Sequence, residues 1–351
     1  MLDVWGDGNV AALAGAFGGI LLGLAARLGR FCTLGAIEDY AYGGSDTRLR
    51  MWVLAIGTAV FGSFACLAMG WVIPTESFYL TLTFAPVATI LGGLLFGYGM
   101  AMAGNCGFGA LARLGGGDLR SFVIVVVMGI TAYATISGPG AWLRVLLFPP
   151  RTLASEPQGI AHFIGSASGL PVWSIGMTIG AALIALALGR ASIRSDKSAI
   201  LWSVIVGFSV ISAWVFTSWI AANGFDGTSV ISHSFAAPVG ETILFAMTST
   251  GQTLSFGIGS VAGVWVGSFA GSLLKGHFRW EACEDPRELR RQIFGAAMMG
   301  VGAVVALGCS IGQGLSAFSL LAFSAPLTFA AIFIGARLGL RHLIEGFVPA
   351  E

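Results

Sequence analysis

The sequence predicts an all-α membrane protein, with about nine transmembrane helices and re-entrant half-helices arranged as two inverted halves. Three observations predict it. The chain of 351 residues is 56% hydrophobic and only 10% charged, with mean hydropathy +0.85. No soluble domain hides that much apolar area, because buried surface grows too slowly with size. A glycine and cysteine pattern recurs three times, and lysine and arginine crowd onto alternate loops.

A span needs about twenty largely apolar residues. Nine such runs fall at about 10–28, 51–73, 86–104, 120–138, 172–190, 199–222, 252–274, 291–308 and 325–343. Several are rich in Gly and Ala, which lets helices approach closely.

The repeat sits where three of these runs end. Cys32, Cys106 and Cys309 are each preceded by glycine at fourteen and nine residues and followed by glycine at three. The glycines are Gly18, Gly23 and Gly35; Gly92, Gly97 and Gly109; and Gly295, Gly300 and Gly312. With 52 glycines in the chain a single match means nothing, but nine at common offsets make a repeat. Gly207, Ser212, Ala221 and Gly224 form a fourth copy without the cysteine.

The segments after Cys32, Cys106, Ala221 and Cys309 are too apolar for loops and too short to span, so they are expected to be half-helices. Irregular backbone at membrane depth is tolerated only inside protein or beside a cavity. Gly35, Gly109, Gly308 and Gly312 are expected to form the supporting backbone turns, with positive φ or backbone contact at Gly109 and Gly312.

Orientation follows from charge. With the N-terminus outside and the C-terminus cytoplasmic, sixteen of the eighteen lysines and arginines fall on the inner side; only Arg144 and Arg151 do not. Residues 1–140 then form a first half with the Cys32 and Cys106 motifs, 141–198 a connector with one span, and 199–351 an inverted second half with the Ala221 and Cys309 motifs. Such halves, with broken helices meeting near the midplane, are a transporter architecture.

The five cysteines lack C-x-x-C spacing, so they make neither a disulfide framework nor a zinc site. No metal or cofactor is expected. Without a Walker motif or a dinucleotide fingerprint, nothing points to an ATP-driven pump or to nucleic acid. The first residues carry no basic run, so no cleavable signal peptide is expected. Cys66, outside the repeat, is expected to pack, and Cys283 to be an exposed thiol. Glu38 and Asp39 should face the cytoplasm, and His162 a loop. His233, Asp226 and Glu241 should line a solvated outer vestibule.

Cys32, Cys106 and Cys309 are read differently, because each stands where a half-helix should begin. A helix N-terminus offers unpaired N–H groups and partial positive charge, which attract anions and make a thiol more reactive. Without a lysine or arginine pair in the motifs, this chemistry suits a soft anion that binds briefly, such as a sulfur oxyanion with a terminal sulfur. Asn105 and Gln313 are candidate polar contacts that either orient a substrate or cap a helix.

The stretches Arg-Phe-Cys-Thr-Leu-Gly-Ala, Ala-Gly-Asn-Cys-Gly-Phe-Gly, Phe-Ala-Ala-Pro-Val-Gly-Glu and Gly-Cys-Ser-Ile-Gly-Gln-Gly-Leu resemble the YeeE/YedE family of sulfur-transport membrane proteins. The resemblance covers nearly the whole chain. It implies an inner-membrane permease for thiosulfate or a similar anion, with Cys309 as the outer, Cys106 the middle and Cys32 the inner thiol of a relay. It also implies a small TusA-like sulfur carrier on the cytoplasmic side. A membrane thiol oxidoreductase or sulfurtransferase, a transporter of a selenium compound, and a non-transporting scaffold for a sulfur carrier are the rival readings. Flux into vesicles holding only this chain separates transport from the scaffold. Trapping of a disulfide between two of the three thiols would favour the enzyme.

Overall fold

Glycine spacing decides how this chain assembles. The computed structural model describes residues 2–149, 151–225, 227–282 and 285–345; Asp226 and Cys283 lie outside the described residues. Twelve helices matter here: α1 (Asp7–Leu28), α2 (Thr33–Ala41), α3 (Thr47–Ala68), α4 (Pro86–Ala103), α5 (Gly107–Leu114), α6 (Leu119–Ile136), α7 (Val172–Leu188), α8 (Lys197–Asn223), α9 (Ala236–Thr248), α10 (Phe256–Leu274), α11 (Pro286–Val305) and α12 (Ser324–Glu345). A π-helical segment, Gly312–Ala317, stands between the last two. Extended pairing among the described residues is limited to three isolated bridges.

Seven helices among the described residues are long and apolar enough to cross a membrane, with α2 continuing α1 and α5 continuing α4. The other two expected spans fall on α7 and α11. At 17 residues α7 is about 25 Å long, short of a hydrocarbon core of about 30 Å. The first turns of α11 carry Arg287, Glu288, Arg290 and Arg291.

The repeat glycines are contact points. A β-carbon at Gly23 would sit 2.4 Å from the Val264 carbonyl oxygen of α10, and one at Gly97 2.1 Å from the Ile332 carbonyl of α12. At Gly92 and Gly295 it would meet the amide nitrogens of Ala306 and Ala103, each at 2.5 Å. Along α1 and α10 the seam is reciprocal: Gly15 and Gly19 face the Phe256 and Ser260 carbonyls, while Gly259, Gly263 and Gly267 face those of Ala12, Ala16 and Ile20. Only hydrogen fits at such distances, and the close approach maximises dispersion contact where no water drives association.

Helix α4 lies between α11 and α12, α3 between α7 and α8, and α6 against α11 and α9. Short helices start after the breaks, as expected, with one exception. Helix α8 runs unbroken through Ala221 to Asn223; the chain leaves it at Gly224, and α9 begins only at Ala236. The span thus ends within a residue of the expected 222, where Gly224 stops the helix, and what is displaced is the start of the short helix behind it.

Candidate functional site

Each repeat cysteine is placed by a turn that comes before it. After α1 the chain turns through Gly29 and Arg30, whose φ is +54°. After α4 it turns at Gly104, φ +76°, and after α11 at Leu307 and Gly308, φ +59° and +156°. Extended backbone at Cys32 and Cys106 then opens α2 and α5.

The role expected of Gly109 and Gly312 changes. Neither has positive φ, and neither meets foreign backbone. Their N–H groups donate to the cysteine sulfurs: Gly109 N to Cys106 Sγ at 3.3 Å and Gly312 N to Cys309 Sγ at 3.4 Å. The thiols thus cap the first turns of their short helices. Gly35 stands at the same offset from Cys32, but a β-carbon there would press on the Arg48 guanidinium, 2.4 Å away. Of the four glycines expected to form turns, Gly308 alone combines a turn position with positive φ.

Cys106 and Cys309 are buried and Cys32 is half-buried; none of the three is in a disulfide. Cys106 lies near both of the others. Hydroxyls surround the thiols. Thr33 Oγ1 donates to Cys106 Sγ at 3.8 Å, and Ser234 Oγ lies 3.8 Å from Cys309 Sγ. The Ser310 hydroxyl is buried, with the Cys106 thiol beside it at poor hydrogen-bond geometry. Sequence reading missed Ser310 and Thr33. The available signal was their position, each directly after a repeat cysteine. Tyr79 lies beside Cys309, buried and edge-on to Trp214 at 6.5 Å, and burial pushes its phenol well above the usual range.

The two polar candidates separate. Gln313 is fully engaged: its Nε2 donates to the Ala306 and Leu307 carbonyls at 2.9 and 3.1 Å, and its Oε1 accepts from Ser324 Oγ at 3.1 Å. It caps the end of α11 and ties it to the start of α12. Asn105 is buried but lines a cavity of about 350 Å³ that also holds Cys32.

That cavity is strongly basic. Arg27, Arg30, Arg48, Arg113 and Lys275 line it, with Glu38 as the one lining carboxylate. The cations come from four separate stretches of chain, so motif reading around the cysteines did not find them. Beside it, Phe31 stacks on Trp52 with centroids 4.7 Å apart, and Trp52 lies 5.3 Å from Phe329.

Other expectations fare variously. Cys66 is buried in the core, as a packing residue should be. Glu38 is exposed. His233 does not line a solvated vestibule: it is fully buried, with Nδ1 2.7 Å from Ser260 Oγ and Nε2 without a partner. A β-carbon at Gly18 would lie 2.1 Å from that Nε2, so the glycine makes room for the ring. Among the described residues no three His, Cys, Asp or Glu side chains are grouped to hold a metal ion.

Two relatives carry the name thiosulfate transporter TsuA. The one from Escherichia coli (strain K12) is 24% identical over 347 residues, which covers 92% of each chain. The one from Spirochaeta thermophila is 26% identical over 327 residues, covering 90% of this chain and 94% of the relative. Residues 28–338 match the family described as sulphur transport, a stretch that takes in all three repeat cysteines and the short helices behind them. The chain belongs to that sulphur transport family.

Proposed function

We propose that this protein is an inner-membrane permease that takes up thiosulfate, or a closely similar sulfur anion, along an interior path past Cys309, Cys106 and Cys32. Family membership supports sulfur transport, and the names of the two relatives support thiosulfate and a transporter rather than an enzyme. One observation carries the path: Thr33, next to Cys32, donates to the buried Cys106 sulfur, and Ser310, next to Cys309, lies beside that same sulfur. Each thiol offers a polarisable sulfur to the anion's terminal sulfur. Thr33, Ser310, Ser234 and the first-turn N–H groups of Gly109 and Gly312 supply donors for its oxygens. All these groups are neutral, so each holds the anion weakly and lets it pass.

The two halves are related by inversion in this reading, and the helix contacts support it. Exchange α1 with α8, α2 with α9, α3 with α10, α4 with α11, and α6 with α12. The α1–α10 contact then becomes α8–α3, α4–α12 becomes α11–α6, and α2–α12 becomes α9–α6; all six are packed pairs. The α1–α8 and α4–α11 contacts map onto themselves. The gathering of basic residues around Cys32 supports placing that end in the cytoplasm, where a TusA-like sulfur carrier would receive the anion.

The test is initial thiosulfate uptake into vesicles that contain only this chain. Saturable uptake that falls on Cys106 substitution is expected. Absence of flux, with the protein folded and inserted, would return the scaffold reading.

A further inference from the structure

The basic cavity holds Cys32, but the thiol path makes no use of its cations, and their charge calls for an explanation. Five cations converge there on one carboxylate. Arg48 pairs with Asp39 at 3.1 Å. Arg27 and Lys275 are turned onto backbone carbonyls: Arg27 donates to Arg113 O, and Lys275 to Arg27 O and Leu28 O. None of Arg27, Arg30, Arg113 or Lys275 forms an ion pair with a described residue. Asp118 and Glu281 act on Arg27, and Glu38 on Arg113, from beyond ion-pair distance, which leaves the cations in excess, and like charges so close repel. The arrangement is graded in depth. Arg30, Arg113 and Lys275 are exposed at the rim, while Cys32 is half-buried and Asn105 buried at the floor. The opposite end differs in charge rather than in space: the cavity of about 630 Å³ there is lined by two cations, Arg144 and Arg151, on otherwise apolar walls, and both donate to backbone carbonyls, of Thr135 and Val305.

We propose that this cavity is a second anion site at the Cys32 end of the thiol path, distinct from the thiols and hydroxyls of that path, which holds a tetrahedral dianion such as sulfate by charge. It deepens the transport reading and rests on it for the identity of the physiological anion. At about 350 Å³ the cavity has room for such an anion with much of its water. Recognition is therefore by charge rather than by shape, and a dianion gains more than chloride from the same field. Bound over the floor, the anion covers Cys32. An anion leaving the neutral thiol path is drawn into this cavity, and the field holds it at that end of the protein.

Protection of Cys32 tests the site without any transport. The full chain in detergent is labelled with N-ethylmaleimide, a neutral probe, and labelling of Cys32 is followed by mass spectrometry. Sulfate is compared with sodium chloride at equal ionic strength. At twice its dissociation constant, sulfate should slow labelling about threefold relative to chloride. Arg30→Gln with Arg113→Gln should abolish the protection, and Arg30→Lys with Arg113→Lys should keep it, which separates charge from misfolding. Equal labelling in sulfate and chloride would overturn the proposal. So would protection that survives the glutamine pair, or protection by thiosulfate but not by sulfate. Sulfate protection in a chain that moves no thiosulfate would leave the site standing and remove only the transport reading.

Discussion

At the scale of single residues, sulfur and hydroxyl can be told apart. If Cys106 only packed, Cys106→Ala would cost little and Cys106→Ser more, since a hydroxyl in an apolar site wants a partner. Because its sulfur meets the passing anion in the proposed path, both changes should lower initial thiosulfate uptake strongly at matched expression. Cys66→Ala should transport normally. Near-normal uptake in all three variants would remove the relay. Ser310 gives an independent reading. Its buried hydroxyl has only the weakly accepting Cys106 sulfur beside it, and a poorly satisfied group of that kind costs up to about 1–3 kcal/mol. Ser310→Ala should therefore leave thermal stability unchanged or raised while uptake falls. Raised stability with full uptake would make the hydroxyl a mere packing defect. Here the sequence was half legible. The cysteines announce themselves by spacing, but the hydroxyls that follow two of them give no sign that they reach a thiol on a different helix.

Helices obey the glycines in two distinguishable ways. Gly104 has φ +76° with open space around its missing β-carbon, so Gly104→Ala meets backbone strain alone, about 1 kcal/mol. Gly97 has ordinary helical backbone but stands against the Ile332 carbonyl, so Gly97→Ala must push α4 and α12 apart, an overpacking cost of about 1–3 kcal/mol. Thermal unfolding of the two variants in detergent should rank Gly97→Ala as the more damaging. Gly18 and His233 supply a coupled pair. Gly18→Ala should destabilise, His233→Ala should relieve much of that loss, and a double-mutant cycle that proved additive would show that the ring is not the obstacle. The sequence revealed the glycine repeat but not its purpose. Spacing alone cannot separate a glycine needed for a turn from one needed for contact, and at Gly109 and Gly312 the answer was an N–H aimed at sulfur. The displaced start of α9 was hidden for a related reason. The small residues of the fourth copy fit inside a helix as readily as at its end.

For the whole molecule, span placement was the most legible feature, because hydrophobic runs report directly on helices in lipid. The basic cavity was the least, since it exists only once separate loops are folded together. Orientation is open to a direct check. Ser195 and Ser155 are exposed at opposite ends of the bundle. In a background without native cysteines, Ser155→Cys should react with a membrane-impermeant maleimide in intact cells, and Ser195→Cys only after the cells are opened. The reverse pattern would invert the path. The seam between α1 and α10, and the placement of α4 between α11 and α12, bear on speed as well as on shape. Helices separated by a hydrogen atom's width leave little slack for rocking across these two seams. Uptake should then depend only shallowly on temperature, with an activation enthalpy set by side chains and short helices, and in hydrogen exchange the two seams should be the last amides to open.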